Sequence, residues 1–194
     1  MEIELKLTLD ESSYSRIVTL FAPASSDVYQ TNHYFQLDTF KFRLRLLQSD
    51  NLQVLQSIIT VKGNPVLSDG VIKVTEDEEI IPNDLAQSYI NNPHFFTSNP
   101  PALLLRLFPS LSMMSVQYLG SITNHRMSFV TNLFPEFLEI DCFLIKDIKY
   151  YELECEATEN RIHIVKEKLL NFLSENDIPY RFSTETKMQR LLCA

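Results

Sequence analysis

The sequence predicts a mostly β member of the α+β class: an eight-stranded antiparallel β-barrel with flanking helices. Three observations predict it. Apolar and polar residues alternate at period two over about eight segments, short turns rich in Gly, Pro, Asn and Asp part many of them, and several polar faces carry clustered charge. Short connections favour antiparallel neighbours. Charged faces of both signs on one sheet can be reconciled if the sheet closes around them.

The first segment, 2–9, alternates strictly: Glu2, Glu4, Lys6 and Thr8 share one face, and Ile3, Leu5, Leu7 and Leu9 the other. Asp10 is placed to cap an amphipathic helix running to Phe21, with Ile17, Leu20 and Phe21 on its apolar side. Further strands are expected at 28–37, 40–47, 52–62, 70–80, 115–126, 128–140 with a break near Pro135, and 149–157. Asp38-Thr39, Gly63-Asn64-Pro65 and Ser68-Asp69-Gly70 supply turns. A helical insertion is expected at about 84–112, punctuated by Pro93, Pro100, Pro101 and Pro109. A C-terminal helix is expected at about 159–175, capped by Thr158, with Ile162, Val165, Leu169, Phe172 and Leu173 on one face.

With 194 residues, 45% of them hydrophobic, the chain can bury one full-sized core, and a single domain spanning 1–194 is expected. The longest apolar runs, such as 103–105, are far too short for a membrane span, and Glu2 and Glu4 stand where a signal peptide would need basic and then apolar residues. Cys142, Cys155 and Cys193 are odd in number and lack metal-type spacing, so a reduced, cytoplasmic setting is expected and a disulfide framework is not. The formal charge of −8 argues against DNA as a partner. His33, His94, His125 and His163 are dispersed without ligand spacing, and three glycines make no phosphate-binding loop. Met113-Met114 reads as packing.

The charged faces carry the functional signal. Lys41, Arg43 and Arg45 share one face of their strand; Glu152, Glu154 and Glu156 share another, and Glu139 and Asp141 a third. Like charges two positions apart on a strand lie roughly 7 Å from each other and repel unless a counter-charge sits between them. One such strand would ordinarily face water. Recurrence on several strands, with both signs present, favours an interior holding both clusters, which a polyanion with bridging hard divalent cations would satisfy together.

Glu2-Ile3-Glu4-Leu5-Lys6 resembles the ExExK signature of the CYTH, or triphosphate tunnel metalloenzyme, family. Further stretches resemble that family in order: Tyr34 to Asp38, Arg43-Leu44-Arg45, Thr60-Val61-Lys62, Glu76-Asp77-Glu78, Asn124-His125-Arg126, Leu138 to Asp141, Tyr151 to Glu156, and Thr184 to Lys187. The short plant-type tripolyphosphatases look most similar. The resemblance implies an eight-stranded tunnel acting on a small-molecule triphosphate with Mg²⁺ or Mn²⁺. It implies that Lys6, Arg43, Arg45, Lys62, Arg126 and Lys187 hold the phosphate chain and that Glu2, Glu4, Glu154 and Glu156 place the metal, with Glu76, Glu78 and Asp141 as further candidates. Glu76, Glu154 and Lys187 are the catalytic candidates, with either glutamate able to orient water. Asn64 stands where many relatives carry a second basic residue, and the chain has no Trp, which argues against the animal thiamine triphosphatases.

The expected reaction is metal-assisted attack of water on a terminal phosphorus, with inorganic tripolyphosphate as the leading substrate and thiamine or nucleoside triphosphate behind it. Two alternatives stand beside it: a class IV-type adenylyl cyclase, and a non-catalytic polyphosphate- or nucleotide-binding module. A monomer or a homodimer is expected.

Overall fold

The computed structural model describes residues 1–194, the side chain of Ser112 aside. The elements run β1 (Glu2–Leu9), α1 (Glu11–Phe21), β2 (Ser26–Leu37), β3 (Phe40–Gln48), β4 (Val54–Lys62), β5 (Val66–Ser68), β6 (Val71–Val74) and β7 (Glu76–Ile81). Helices α2 (Asn83–Asn91), α3 (Phe95–Ser98) and α4 (Ala102–Leu107) follow, then β8 (Val116–Phe129), β9 (Leu138–Ile145), β10 (Ile148–Glu156), α5 (Ile162–Glu175), β11 (Arg181–Phe182) and α6 (Lys187–Cys193).

All strands join one sheet in the order β5-β6-β1-β10-β9-β8-β2-β3-β4-β7, with β11 added beside β1. Every pair is antiparallel. The hydrogen-bond ladder does not close on itself. However, β6 and β7 are successive halves of one run, parted only by Thr75; the first half pairs with β1 and the second with β4. The Gly63 N–H donates to the Thr75 carbonyl at 2.9 Å across this bend. The ends of the sheet are therefore joined by the backbone, and eight strands surround the interior when β6 and β7 are counted together. The expected strand at 70–80 is this joining run.

Alternation then sorts side chains between two environments. Outward-facing Leu5, Leu7, Leu138, Ile140 and Leu153 pack under α1 and α5, whose Ile17, Val165 and Leu169 are buried against them. On the other side Phe35, Leu44, Ile59 and Val61 pack under α2 to α4 with Tyr89 and Phe96. The sheet thus buries its outer face beneath helices, which leaves the charged face turned inward.

Local chemistry explains most boundaries. Asp10 caps α1, its carboxylate accepting from the Ser13 N–H at 2.7 Å. Asp38 adopts φ 54° in the two-residue turn between Leu37 and Phe40, and Asp69 and Gly70 adopt φ 49° and 77° between β5 and β6, the backbone that tight hairpins require. Two expectations are corrected. The break expected near Pro135 is present but wide, and the residues before it belong to the preceding strand: β8 runs on through Phe129, and pairing resumes only at Leu138, beyond Pro135, which has no N–H to give a ladder. The last long helix starts at Ile162 instead of 159, because the Thr158 hydroxyl donates to Asn160 at 2.6 Å and its carbonyl accepts from Arg161 and Ile162, forming a preceding turn.

Candidate active site in the interior channel

Four adjacent strands build an acidic wall. Register sets Lys6 opposite Glu154, Glu154 opposite Glu139, Glu152 opposite Asp141, and Asp141 opposite Arg126. Cross-strand partners share a face, so all of these side chains enter one space. Asp141 and Glu152 have no exposed surface, and Glu4, Lys6 and Glu154 are buried as well. Buried charge is tolerated only when it is paired. Lys6 Nζ lies 3.0 Å from Glu4 and 2.9 Å from Glu154. Arg126 donates to both oxygens of Asp141 at 2.7 and 2.6 Å and also reaches Glu139 and Glu154.

The last ion of this network comes from α6. Thr186 and Gln189 form a capping box at its start, fixing where Lys187 emerges. The Lys187 ammonium sits 2.8 Å from Asp141, 2.6 Å from Glu152 and 2.7 Å from Glu154. Beyond it, Met188 and Leu191 pack onto Tyr34, Ile122, Phe143 and Ile145, so α6 seals one end of the channel with an apolar plug. Gly120, at φ 135° beside a register shift in β8, makes room for Leu191: a Cβ there would come within 3.3 Å of it.

These contacts set the charge states. Burial alone would raise the Glu154 carboxyl, but Lys187, Lys6 and Arg126 hold it well below the ordinary range. Burial likewise opposes ionisation of Asp141, yet Arg126 and Lys187 keep it lowered. Lys6, Lys187 and Arg126 lose solvation and are nonetheless raised by the same carboxylates. Glu156 differs: burial, then Glu2, Glu4 and Glu76, push it up. Burial and Glu76 also raise Glu2 despite its pairing with Lys62.

Strands β3 and β4 supply a cationic wall. Arg43 reaches Thr60 at 3.1 Å and Glu76 at 3.4 Å, and Lys62 lies 3.3 Å from Glu76. Arg45 has no carboxylate within 4.0 Å among the described residues; its Nε donates to Asn32 at 3.0 Å. Burial, with Arg43 and Arg126 nearby, pulls its pKa down to about 10. Arg43 Nε is buried without a hydrogen-bond partner. Both guanidiniums therefore keep donors uncommitted, as an anion site requires.

Carboxylate oxygens of Asp141, Glu152 and Glu154 lie within 4.8 Å of one another. Glu152 lies 2.6 Å from the Lys187 ammonium and 3.3 Å from Arg190, so those two cations balance its charge. With the Lys187 ammonium displaced, three hard oxygen donors of this kind suit a hard divalent cation.

The CYTH domain model matches residues 1–192. The chain belongs to the CYTH family. Among solved structures it is similar to the Hippeastrum protein HpAC1, described as an adenylyl cyclase with a dominant triphosphatase activity, at 28% identity over 98% of this chain and 95% of that one, with a TM-score of 0.85. A Bacillus halodurans protein named as an adenylate cyclase shares the fold at 20% identity and TM-score 0.71, covering 98% and 96% of the two chains. The Pyrococcus horikoshii protein PH1819 shares it at 16% identity and TM-score 0.66, covering 97% and 98%. A search of curated proteins finds no match.

Within this CYTH fold the sequence-expected residues divide into groups. Lys6, Arg126, Lys187, Glu4, Asp141 and Glu154 meet in one network. Glu2, Lys62, Glu76 and Arg43 meet in a second, where β1 approaches the β4–β7 edge. Glu156 stands opposite Glu4 without an ion-pair partner among the described residues. Glu78 is exposed at the rim, accepting from Thr60 at 2.9 Å. The acid trio includes Glu152, which sequence reasoning placed in a charged row but gave no role. Arg190, 3.3 Å from Glu152, was missed; its spacing of three from Lys187 on a helix was the available signal.

Proposed function

We propose that the chain is a divalent-metal-dependent hydrolase of triphosphates, with inorganic tripolyphosphate as its leading substrate, working in a cytoplasmic setting consistent with three free cysteines. One observation carries the reading: Arg43 and Arg45, with uncommitted donors, share a channel with a buried trio of carboxylates suited to a hard cation. A triphosphate needs both, cationic forks for its non-bridging oxygens and a counter-ion between itself and the acids. HpAC1's described triphosphatase activity supports the same direction.

Arg45, Arg43 and Lys62 would grip the phosphate chain from β3 and β4, with Lys6 and Arg126 acting from the acidic wall. Asp141, Glu152 and Glu154 would hold the metal, with Glu2, Glu4, Glu78 and Glu156 as further carboxylates along the channel. When bound, the divalent ion supplies charge neutralisation on the phosphoryl oxygens. Lys187 would leave the carboxylates and turn its ammonium toward phosphate, since both sites attract the same charge. Glu154, kept ionised by three cations, suits holding charge better than accepting a proton. Glu76 therefore stands as the stronger of the two carboxylates for drawing a proton from the attacking water.

The cyclase reading needs room for a nucleoside. At the α6 end Phe143, Tyr34 and Leu191 fill that space, which favours the hydrolase. Incubation with tripolyphosphate, thiamine triphosphate and ATP in the presence of Mg²⁺ or Mn²⁺ separates the readings. Orthophosphate from tripolyphosphate supports the proposal; pyrophosphate with cyclic AMP from ATP would replace it with cyclisation, and binding without product would leave a non-catalytic module.

A further inference from the structure

Two neutral side chains in the channel have no place in the charge network. Asn124 on β8 and Gln30 on β2 are cross-strand partners, 1% and 5% exposed, on the face that carries Arg126 and Asn32. Neither amide atom of Asn124, nor Oε1 of Gln30, has a hydrogen-bond partner in the protein. Buried amides left in this state are costly, so a native fold retains them where something else completes them.

The chemistry of that partner is restricted. Ionised phosphate oxygens accept and do not donate, as do the amide oxygens of Asn124 and Gln30, so the two do not pair. Arg126 is committed elsewhere, donating through all three nitrogens to Asp141, Glu139 and Glu154, while Arg45, whose Nε donates to Asn32, keeps only its terminal nitrogens, which the reading above assigns to phosphate. A water molecule satisfies the set. Its two O–H groups suit the two amide oxygens, while Asn124 Nδ2 remains free for a phosphoryl oxygen.

We propose that Asn124, assisted by Gln30, positions the attacking water against the phosphate chain. This rests on the hydrolase reading above and gives a role to two uncharged residues that the charge pattern leaves without one. In the step, a water lone pair forms a new bond to the terminal phosphorus as the bridging P–O bond breaks, its electron pair passing to the leaving pyrophosphate. One water proton stays on the orthophosphate and the other ends on the pyrophosphate, so no further reactant is needed.

The test compares wild type, Asn124→Leu and Gln30→Leu for tripolyphosphate turnover at saturating Mg²⁺, together with Tm in the absence of substrate. Removing the amide at 124 with little change of volume should lower kcat roughly ten-fold or more, leave KM within about two-fold, and leave Tm equal or higher, because an unpaired buried polar group is lost. Gln30→Leu should show the same split, smaller. If Asn124→Leu does not fold, Asn124→Ala gives the same reading. Unchanged kcat in variants of an active wild type overturns the positioning role while leaving the hydrolase intact. So does a rise in the Mg²⁺ requirement with full kcat at saturation, which would mark Asn124 as a metal ligand. A wild type that releases no orthophosphate overturns the hydrolase reading itself and this inference with it.

Discussion

Replacing Lys187 by Met tests the charge balance on which the site depends. Its ammonium touches Asp141, Glu152 and Glu154 at 2.6 to 2.8 Å, and its side chain is 12% exposed. At an effective dielectric of about 20, each such contact is worth roughly 6 kcal/mol in gross Coulomb energy, most of which is offset by stripping water from the ions. Removing one partner of a buried ion network costs about 3–5 kcal/mol net, because the remaining charges stay buried and uncompensated. For a chain of this size that corresponds to a Tm lowered by about 6–20 °C, read by calorimetry in EDTA. Methionine keeps the stem's volume, so little of the loss comes from packing. A divalent ion at the same carboxylates replaces the missing charge, and Mg²⁺ or Mn²⁺ should therefore raise the Tm of the variant by more than that of wild type. A variant that melts within about 2 °C of wild type, and gains no more from metal, would refute the reasoning.

Arg45→Met should weaken tripolyphosphate binding by roughly 10- to 150-fold, the worth of one charge-assisted hydrogen bond, without lowering Tm, since Arg45 has no carboxylate to abandon; titration calorimetry reads both the loss and its specificity. Glu152→Gln should raise the Mg²⁺ concentration needed for half-maximal turnover by roughly ten-fold or more, and an unchanged requirement would remove Glu152 from the metal set. Stability without metal should increase as pH falls from neutral toward about 4.5. Glu2, Glu139 and Glu156 are raised in the fold, so their contribution is present below the unfolded value and lost as pH rises through the folded one. Asp141 and Glu154 are lowered, so theirs persists through that window and is lost only at more acidic pH. Tm against pH in EDTA checks the sign, and Mg²⁺ should flatten the slope.

Much of the candidate site was legible because strands alternate. Once Glu2, Glu4 and Lys6 fall on one face, and Glu152, Glu154 and Glu156 on another, only the sense of curvature remains to be decided, and outward-facing Leu5, Leu7 and Leu153 settle it by needing cover from helices. The motif order then gave Arg43, Arg45, Lys62 and Arg126 without any coordinates. Less legible were residues whose role depends on what stands across the channel. Gln30 and Asn124 look like ordinary strand polar residues until register makes them neighbours.

By itself, the sequence determined which residues carry charge, which share a face and roughly where eight strands lie, because these follow from period two and local turn chemistry. Tertiary structure alone decided which carboxylates converge: Asp141, Glu152 and Glu154 come from two strands, and their approach depends on the β9–β10 register and on α6 bringing Lys187 back into the channel. It also decided how the sheet meets itself, through a single bend at Thr75 that hands one run of chain from β1 to β4. Register and closure depend on pairings between segments far apart in the chain, and no local pattern contains them.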